Sequence, residues 1–315
     1  MSQAVKVLVL GYGSAGRRHV AHLLSLGARV AVYDPALVGR AVEMPADTRP
    51  APPPRVFWDE GDAMRWGADA VLIATPAQDH LRALARVVAA SFRHVFVEKP
   101  LALAAFEFDG LDELCVQVGY QLRSHPGCRA LKDAVDAGAV GSVQSARFYT
   151  GSHISTWGGS SYADALLECS HELDAARWVM GEAEVAGAAC HPREATWEVV
   201  LRHAGGPLSS VHMSTVEHLY SRRWCVVGTG GVATWDSAEA LTTVERVGGA
   251  VETVWQGESM EAANRQAYRA QLEAFLSAAR AGATPPCSLE DGLAALRLCD
   301  RARTLSTARF PGQTN

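Results

Sequence analysis

Short apolar runs recur through the first 120 positions: Val7-Leu8-Val9-Leu10, Val30-Ala31-Val32-Tyr33, Ala70 to Ala74, Val95-Phe96-Val97 and, interrupted by Gln117, Val116 to Tyr120. Runs of three to five residues with almost no polar alternation read as strands buried on both faces, as parallel sheets require. Between them lie segments of helical period, Arg17 to Leu26 closed by Gly27, and Asp79-His80 to about Ala90. Strand and helix in alternation predict a doubly wound α/β domain over residues 1–120. The rhythm then changes. Val143 to Tyr149, Glu198 to His203, Ser209 to Val216, Trp224 to Val227, Val232 to Trp235 and Leu241 to Val247 are β runs joined by short turns, a pattern of antiparallel pairing. One helix is predicted over 163–180, closed by Gly181. Two more cover 262–281 and 289–306, split by Thr284-Pro285-Pro286. Ala270, Leu272, Phe275, Leu276 and Ala279 form a stripe that reads as core. Residues 121–315 are therefore expected to form an α+β domain, with helix 289–306 packing back on the first.

Gly11-Tyr12-Gly13-Ser14-Ala15-Gly16 stands between the first strand and the first helix, and Asp34 ends the second strand 18 residues past Gly16. Each glycine has its own physical role. Gly11 permits the turn, Gly13 admits a pyrophosphate to the backbone, and Gly16 lets helix and strand approach. The helix start offers unpaired N–H groups to phosphate. This is a Rossmann dinucleotide fingerprint, with Tyr12, Ser14 and Ala15 in the cofactor loop. A carboxylate at Asp34 accepts from a ribose hydroxyl and repels a 2′-phosphate, so NAD is expected and NADP is the alternative. Arg17, Arg18 and Arg40 are the cations a phosphate would use.

Thr75, Pro76 and His80 follow the third of these runs, and Glu98, Lys99 and Pro100 the fourth, where open α/β sheets bind ligands. All are assigned to the cofactor side, His80 with a structural first-turn role as the blander reading. Five prolines between 45 and 54 exclude a helix there.

Composition narrows the class. At 315 residues, 48% hydrophobic and 20% charged, the chain supports about two cores. A net charge of −5 without a basic run argues against nucleic-acid binding. Seven scattered cysteines without a CxxC read as reduced thiols of a cytoplasmic protein. No apolar stretch is long enough for a membrane helix or a signal peptide. His94, His191, His203, His212 and His218 show no metal-ligand spacing such as HxxxH, and no metal is expected.

Taken together, the motifs resemble the Gfo/Idh/MocA family of nicotinamide-dependent oxidoreductases. They are the glycine loop with Arg17-Arg18-His19, Thr75-Pro76 with His80, Glu98-Lys99-Pro100, Val118 to Arg123 with His125-Pro126, Leu131-Lys132 before Gly138 to Gly141, Ser170 to Asp174, and Ser288 to Gly292. The stretch Leu166 to Asp174 resembles a branch associated with bacterial sugar biosynthesis. The resemblance implies a Rossmann domain followed by a large open, mostly antiparallel sheet, and a homodimer or homotetramer formed through that sheet. It implies a lysine and a histidine flanking the reacting carbinol, here Lys99 and His171. The family's aspartate four residues before the histidine is Leu167 in this chain, and the acid is Glu168, three before. On one helix, Glu168, His171 and Asp174 would share a face, with Glu168 orienting His171. Histidine is near its working pKa, and lysine reaches it when desolvated or beside a cation.

Gln121, Arg123, Tyr149, Trp157 and Asp174, with Lys99 and His171, are the substrate-binding candidates. The function implied is hydride transfer between a nicotinamide cofactor and a hydroxyl or keto carbon of a sugar, cyclitol or sugar nucleotide, in bacterial sugar or antibiotic biosynthesis. Three alternatives are NAD-dependent glycoside hydrolysis, a non-catalytic NAD and sugar sensor, and an imine or amino-acid-type reductase anchored by Arg123.

Overall fold

Six strands of the first half pair in parallel: β1 (Lys6–Leu10), β2 (Arg29–Tyr33), β3 (Arg55–Phe57), β4 (Ala70–Ile73), β5 (His94–Val97) and β6 (Cys115–Val118), in the order β3-β2-β1-β4-β5-β6. The computed structural model describes residues 4–39, 52–107, 113–153, 164–191, 195–282 and 284–306. The order reverses between β1 and β4, which opens a crevice at their carboxyl ends. β4 is buried throughout and β1 almost so, as uninterrupted apolar runs demand. α1 (Ser14–Ser25) contributes Val20, Leu23 and Leu24 to this core. They meet Val7, Val9, Val30, Val32, Leu72 and Phe96 from the sheet and Leu272, Phe275 and Leu276 from α7 (Met260–Ala281). Each such side chain contributes about 2 kcal/mol on burial. α2 (Glu60–Met64) and α3 (His80–Ala89) complete the crossovers.

Part of the proline-rich segment, 45–51, lies outside the described residues. Pro52 to Pro54 lead into β3, a three-residue strand with no signal in the apolar pattern, which joins the sheet by pairing with β2.

The eight remaining strands are β7 (Val143–His153), β8 (Ala183–Cys190), β9 (Thr196–His203), β10 (Leu208–Ser214), β11 (Val216–Gly228), β12 (Gly231–Asp236), β13 (Leu241–Arg246) and β14 (Val251–Gln256), ordered β14-β13-β12-β11-β7-β10-β9-β8. Every neighbouring pair is antiparallel except β10 with β7. β9 alternates buried and exposed residues, so only one face of it is covered. α4 (Pro126–Asp136) packs against β12, β13 and β14, and α6 (His171–Met180) against β7 and β10. Trp197, Trp224, Trp235 and Phe148 fill the core, with the Trp224 and Trp235 rings edge to face at 4.9 Å. β8, rich in alanine and glycine, has little intrinsic strand preference and is held by its pairing with β9.

The predicted helix over 163–180 is a correction. The structure breaks it into α5 (Ala165–Glu168) and α6. Ser170 N–H donates to the Leu167 carbonyl and Glu172 N–H to that of Cys169, three residues back rather than four. That tightening interrupts the ladder, so Glu168 and His171 do not share one helix face by period.

The chain divides into two compact units, Met1–Gln121 with Tyr268–Leu293, and Leu122–Ala267 with Ala294–Asn315. The second half of α7 and the first residues of α8 (Leu289–Ser306) thus group with the parallel sheet, and the rest of α8 with the second unit. Among the described residues no helix is long and apolar enough to cross a membrane.

Candidate active site

The glycine loop is built by contact. Gly11 has φ +96°, and a Cβ there would stand 2.5 Å from the Ala74 carbonyl oxygen. A Cβ on Gly16 would collide with the Gly11 carbonyl. Gly13 differs: a Cβ there meets nothing within 4 Å. Gly13 is also the N-cap of α1 and supplies no side-chain cap to the first-turn amides. Open space over a glycine at a helix start is the cradle a pyrophosphate occupies, and Tyr12, Ser14 and Ala15 complete the loop. Asp34 is held on two sides, Oδ2 accepting the Tyr12 N–H at 2.6 Å and Oδ1 the Ala36 N–H at 2.8 Å. A carboxylate has about four acceptor positions, which leaves capacity for ribose hydroxyls. At the next strand end the Thr75 hydroxyl oxygen is buried without a hydrogen-bond partner, and Pro76 beside it is exposed. The orphaned hydroxyl and the open cradle fit a dinucleotide along the strand ends.

Lys99 leaves the carboxyl end of β5 half-buried, and its peptide with Pro100 is cis. Glu98, assigned above to the cofactor, is buried and turned inward. Its Oε1 accepts from His19 Nε2 at 2.5 Å and its Oε2 from the Lys99 N–H at 3.0 Å. Burial pushes this carboxyl up, but the His19 bond and charge, Arg18 and the Lys99 amide more than reverse it, to about 2. His80 is 1% exposed, with Nδ1 2.9 Å from the Pro100 carbonyl oxygen and Nε2 2.9 Å from that of Thr75. Both ring nitrogens face backbone carbonyls and the single N–H of the neutral ring donates to one of them, which is the structural role weighed above. Burial lowers its pKa against those two carbonyl bonds.

In the second unit, His171 opens α6 at 5% exposure, and Glu168, at 9%, ends α5. Gln121 is buried in the turn after β6. Three substrate-binding expectations meet other partners. Arg123 and Asp174 bind each other through two bonds, Nε to Oδ2 at 2.9 Å and Nη2 to Oδ1 at 2.7 Å, with side-chain exposures of 7% and 2%. Their charges are spent on holding the turn after β6 to α6. Tyr149 donates its hydroxyl to Glu217 and stacks on His212 at 4.8 Å. Burial and then Glu217 push that phenol up to about 12. Trp157 lies outside the described residues.

Sequence reasoning assigned no role to His19, Tyr268 or the buried Arg222–Glu172 pair at 2.7 Å. His19 had a legible signal. Gly16, His19, Val20, Leu23 and Leu24 form the buried face of α1, and a histidine at a core position of a helix needs a partner. Among the described residues no cluster of three or more His, Cys, Asp or Glu is arranged to hold a metal.

Two matching domains of one oxidoreductase family span the chain: an NAD-binding Rossmann fold over residues 5–125 and a C-terminal alpha/beta domain over 138–306. An inositol 2-dehydrogenase of Streptomyces avermitilis is 31% identical, the match covering 94% of this chain and 90% of that enzyme. Inositol 2-dehydrogenase 1 of Saccharopolyspora erythraea is 29% identical over 94% and 92%. Among solved structures, the UDP-N-acetylglucosamine 3-dehydrogenase GnnA of Acidithiobacillus ferrooxidans superposes with a TM-score of 0.81 at 21% identity, over 98% of this chain and 99% of that one. A levoglucosan dehydrogenase in complex with NADH and levoglucosan gives 0.80 at 17% identity, over 96% and 97%. With its glycine cradle, its strand-end lysine and both family domains in order, this chain belongs to the Gfo/Idh/MocA family of NAD-binding oxidoreductases.

Proposed function

We propose that the protein oxidises a secondary alcohol of a cyclitol or sugar, with Lys99 and His171 handling the proton. NAD, when bound, supplies the acceptor for the hydride of the carbinol carbon. The hydroxyl proton leaves to Lys99, and the carbon becomes a ketone. His171 opens α6 and bonds a substrate hydroxyl or shares the proton, and Gln121 is a further hydroxyl partner. Gly11 to Gly16, Asp34 and Thr75 hold the dinucleotide.

The observation that carries this reading is Lys99 at the carboxyl end of β5, on the sheet edge that also presents the open Gly13 cradle. The inositol 2-dehydrogenase relatives support a polyhydroxylated ring as substrate. The filled Arg123 fork speaks against an amino-acid-type reductase, which needs a cation for its substrate carboxylate.

Two coarser features belong here. The seven cysteines are free thiols, which supports a reducing compartment. Val200 and Leu208, 41% and 42% exposed on the eight-stranded sheet, support pairing of copies through its open face.

The test is a panel of cyclitols, sugars and sugar nucleotides incubated with NAD or NADP, read by reduced-nicotinamide absorbance. Turnover of at least one polyol with NAD is expected, and Lys99→Ala is expected to lower its kcat by about 100-fold or more. No turnover across the panel, or full activity in the variant, would overturn the assignment.

A further inference from the structure

His19 is fully buried on α1, yet nothing in the packing of α1 on the sheet requires a polar ring there. Its Nε2 lies 2.5 Å from Glu98 Oε1. A carboxylate only accepts, so the ring N–H donates. The other oxygen, Oε2, takes the N–H of Lys99 at 3.0 Å. Gly119, just past β6, leaves the room this carboxylate fills, since a Cβ there would stand 3.0 Å from Oε2. The His19 ring is wedged edge-on between Phe96 at 5.2 Å and Tyr268 at 6.3 Å, and Arg18 stacks over Tyr268 at 4.1 Å. On the other side of Lys99, the Pro100 carbonyl oxygen is 2.9 Å from His80 Nδ1.

A buried hydrogen-bonded pair of this kind is poor evidence of stabilisation, because desolvation offsets the attraction and an apolar pair of equal volume packs as well. What this pair does have is a bond to the one backbone amide that belongs to Lys99. We infer that His19 and Glu98 are positioning residues for Lys99: together they fix its amide, so that the amine leaves the strand end in one direction. This inference rests on the reading of Lys99 as the proton-handling group.

The charged and titratable groups facing Glu98 are His19, Arg18 and His80, together with the Lys99 amide. In the native protein Glu98 stays ionised through the working range. His19→Phe keeps the ring that packs on Phe96 and Tyr268 but removes the donor, and burial then acts on Glu98 with less to oppose it. Protonation of Glu98 moves into the accessible range, and a protonated Oε2 holds the Lys99 amide less well. Glu98→Gln removes that titration.

Two readouts test the inference. The first needs no substrate: amide hydrogen exchange of Lys99 is expected to quicken by about tenfold or more in His19→Phe, while β1 and β4 keep their protection. The second uses the best polyol from the panel. His19→Phe is expected to lower kcat by about tenfold or more, with the Kd for NADH within about threefold. Its kcat profile should gain an acid-side ionisation absent from the native protein and from the double variant His19→Phe/Glu98→Gln. Unchanged exchange at Lys99 overturns the inference, and so does faster exchange with an unchanged kcat and pH profile. Failure of the wild-type enzyme on the whole panel strikes instead at the proposed function, and is told apart because it appears without any variant.

Discussion

The Asp34 carboxylate, at the end of β2, is anchored by the Tyr12 and Ala36 amides. Under the proposed function its charge is what would separate NAD from NADP. Asp34→Ala is expected to cut the ratio of kcat/KM for NAD over NADP by about tenfold or more, and an unchanged ratio would remove Asp34 from cofactor selection. The loop geometry of Asp34 and the three glycines was legible in the sequence, because it is set by a local turn and its neighbouring strands. Arg123, Asp174 and Tyr149 were not. Arg123 meets a carboxylate 51 positions away and Tyr149 one 68 positions away, and no local pattern announces such partners. Polar residues with undetermined partners were read as facing substrate, when the fold had already paired them.

At the scale of elements, the apolar pattern placed β1, β2, β4, β5 and β6, because nearly continuous apolar runs are buried on both faces. It missed β14, and also β3 and β8, whose strand character comes from the neighbouring strand rather than from their own residues. It also ran α5 and α6 together, since side-chain period does not record a shift from four-residue to three-residue hydrogen bonds. From the turn after β6, Arg123 pairs with Asp174 of α6. Asp174→Asn leaves the guanidinium buried without its counter-charge and is expected to cost about 3–5 kcal/mol in urea unfolding. The double variant Arg123→Met/Asp174→Leu should recover much of that loss. A single-variant cost below about 1 kcal/mol would mean the pair behaves as an exposed one.

α4 has a pH-sensitive start. His125 Nδ1 accepts the Gly127 and Cys128 N–H groups, and the ring packs on Trp235 and Trp255. Burial, then Arg222, lowers its pKa to about 4. The folded value lies below the unfolded one, so the unfolded chain binds the proton more readily. This stabilisation is complete above the unfolded value of 6.5 and is lost as pH falls toward 4, on the order of 3 kcal/mol in all. His125→Asn keeps a capping acceptor that does not titrate. It should be less stable at pH 7 and show a flatter urea midpoint between pH 7 and pH 4. An equally steep loss in the variant would place the titration elsewhere.

For the molecule as a whole, the sequence pattern anticipated a parallel sheet followed by a mainly antiparallel one, and the structure has both. The C-terminal helices are shared between the two units, with Tyr268–Leu293 returning to the first. That return brings Phe275 onto Phe96 and Tyr268 onto His19, so the strand carrying Lys99 is braced by residues more than 160 positions later.

The most direct test follows the hydride itself. A polyol from the panel, deuterated at its carbinol carbons, is turned over with NAD, and the reduced cofactor is weighed by mass spectrometry. Transfer of a single deuterium to the cofactor, together with a ketone product, is the expected result. A reduced cofactor without deuterium, or product formed with no net cofactor reduction, would contradict a dehydrogenase acting at that carbon.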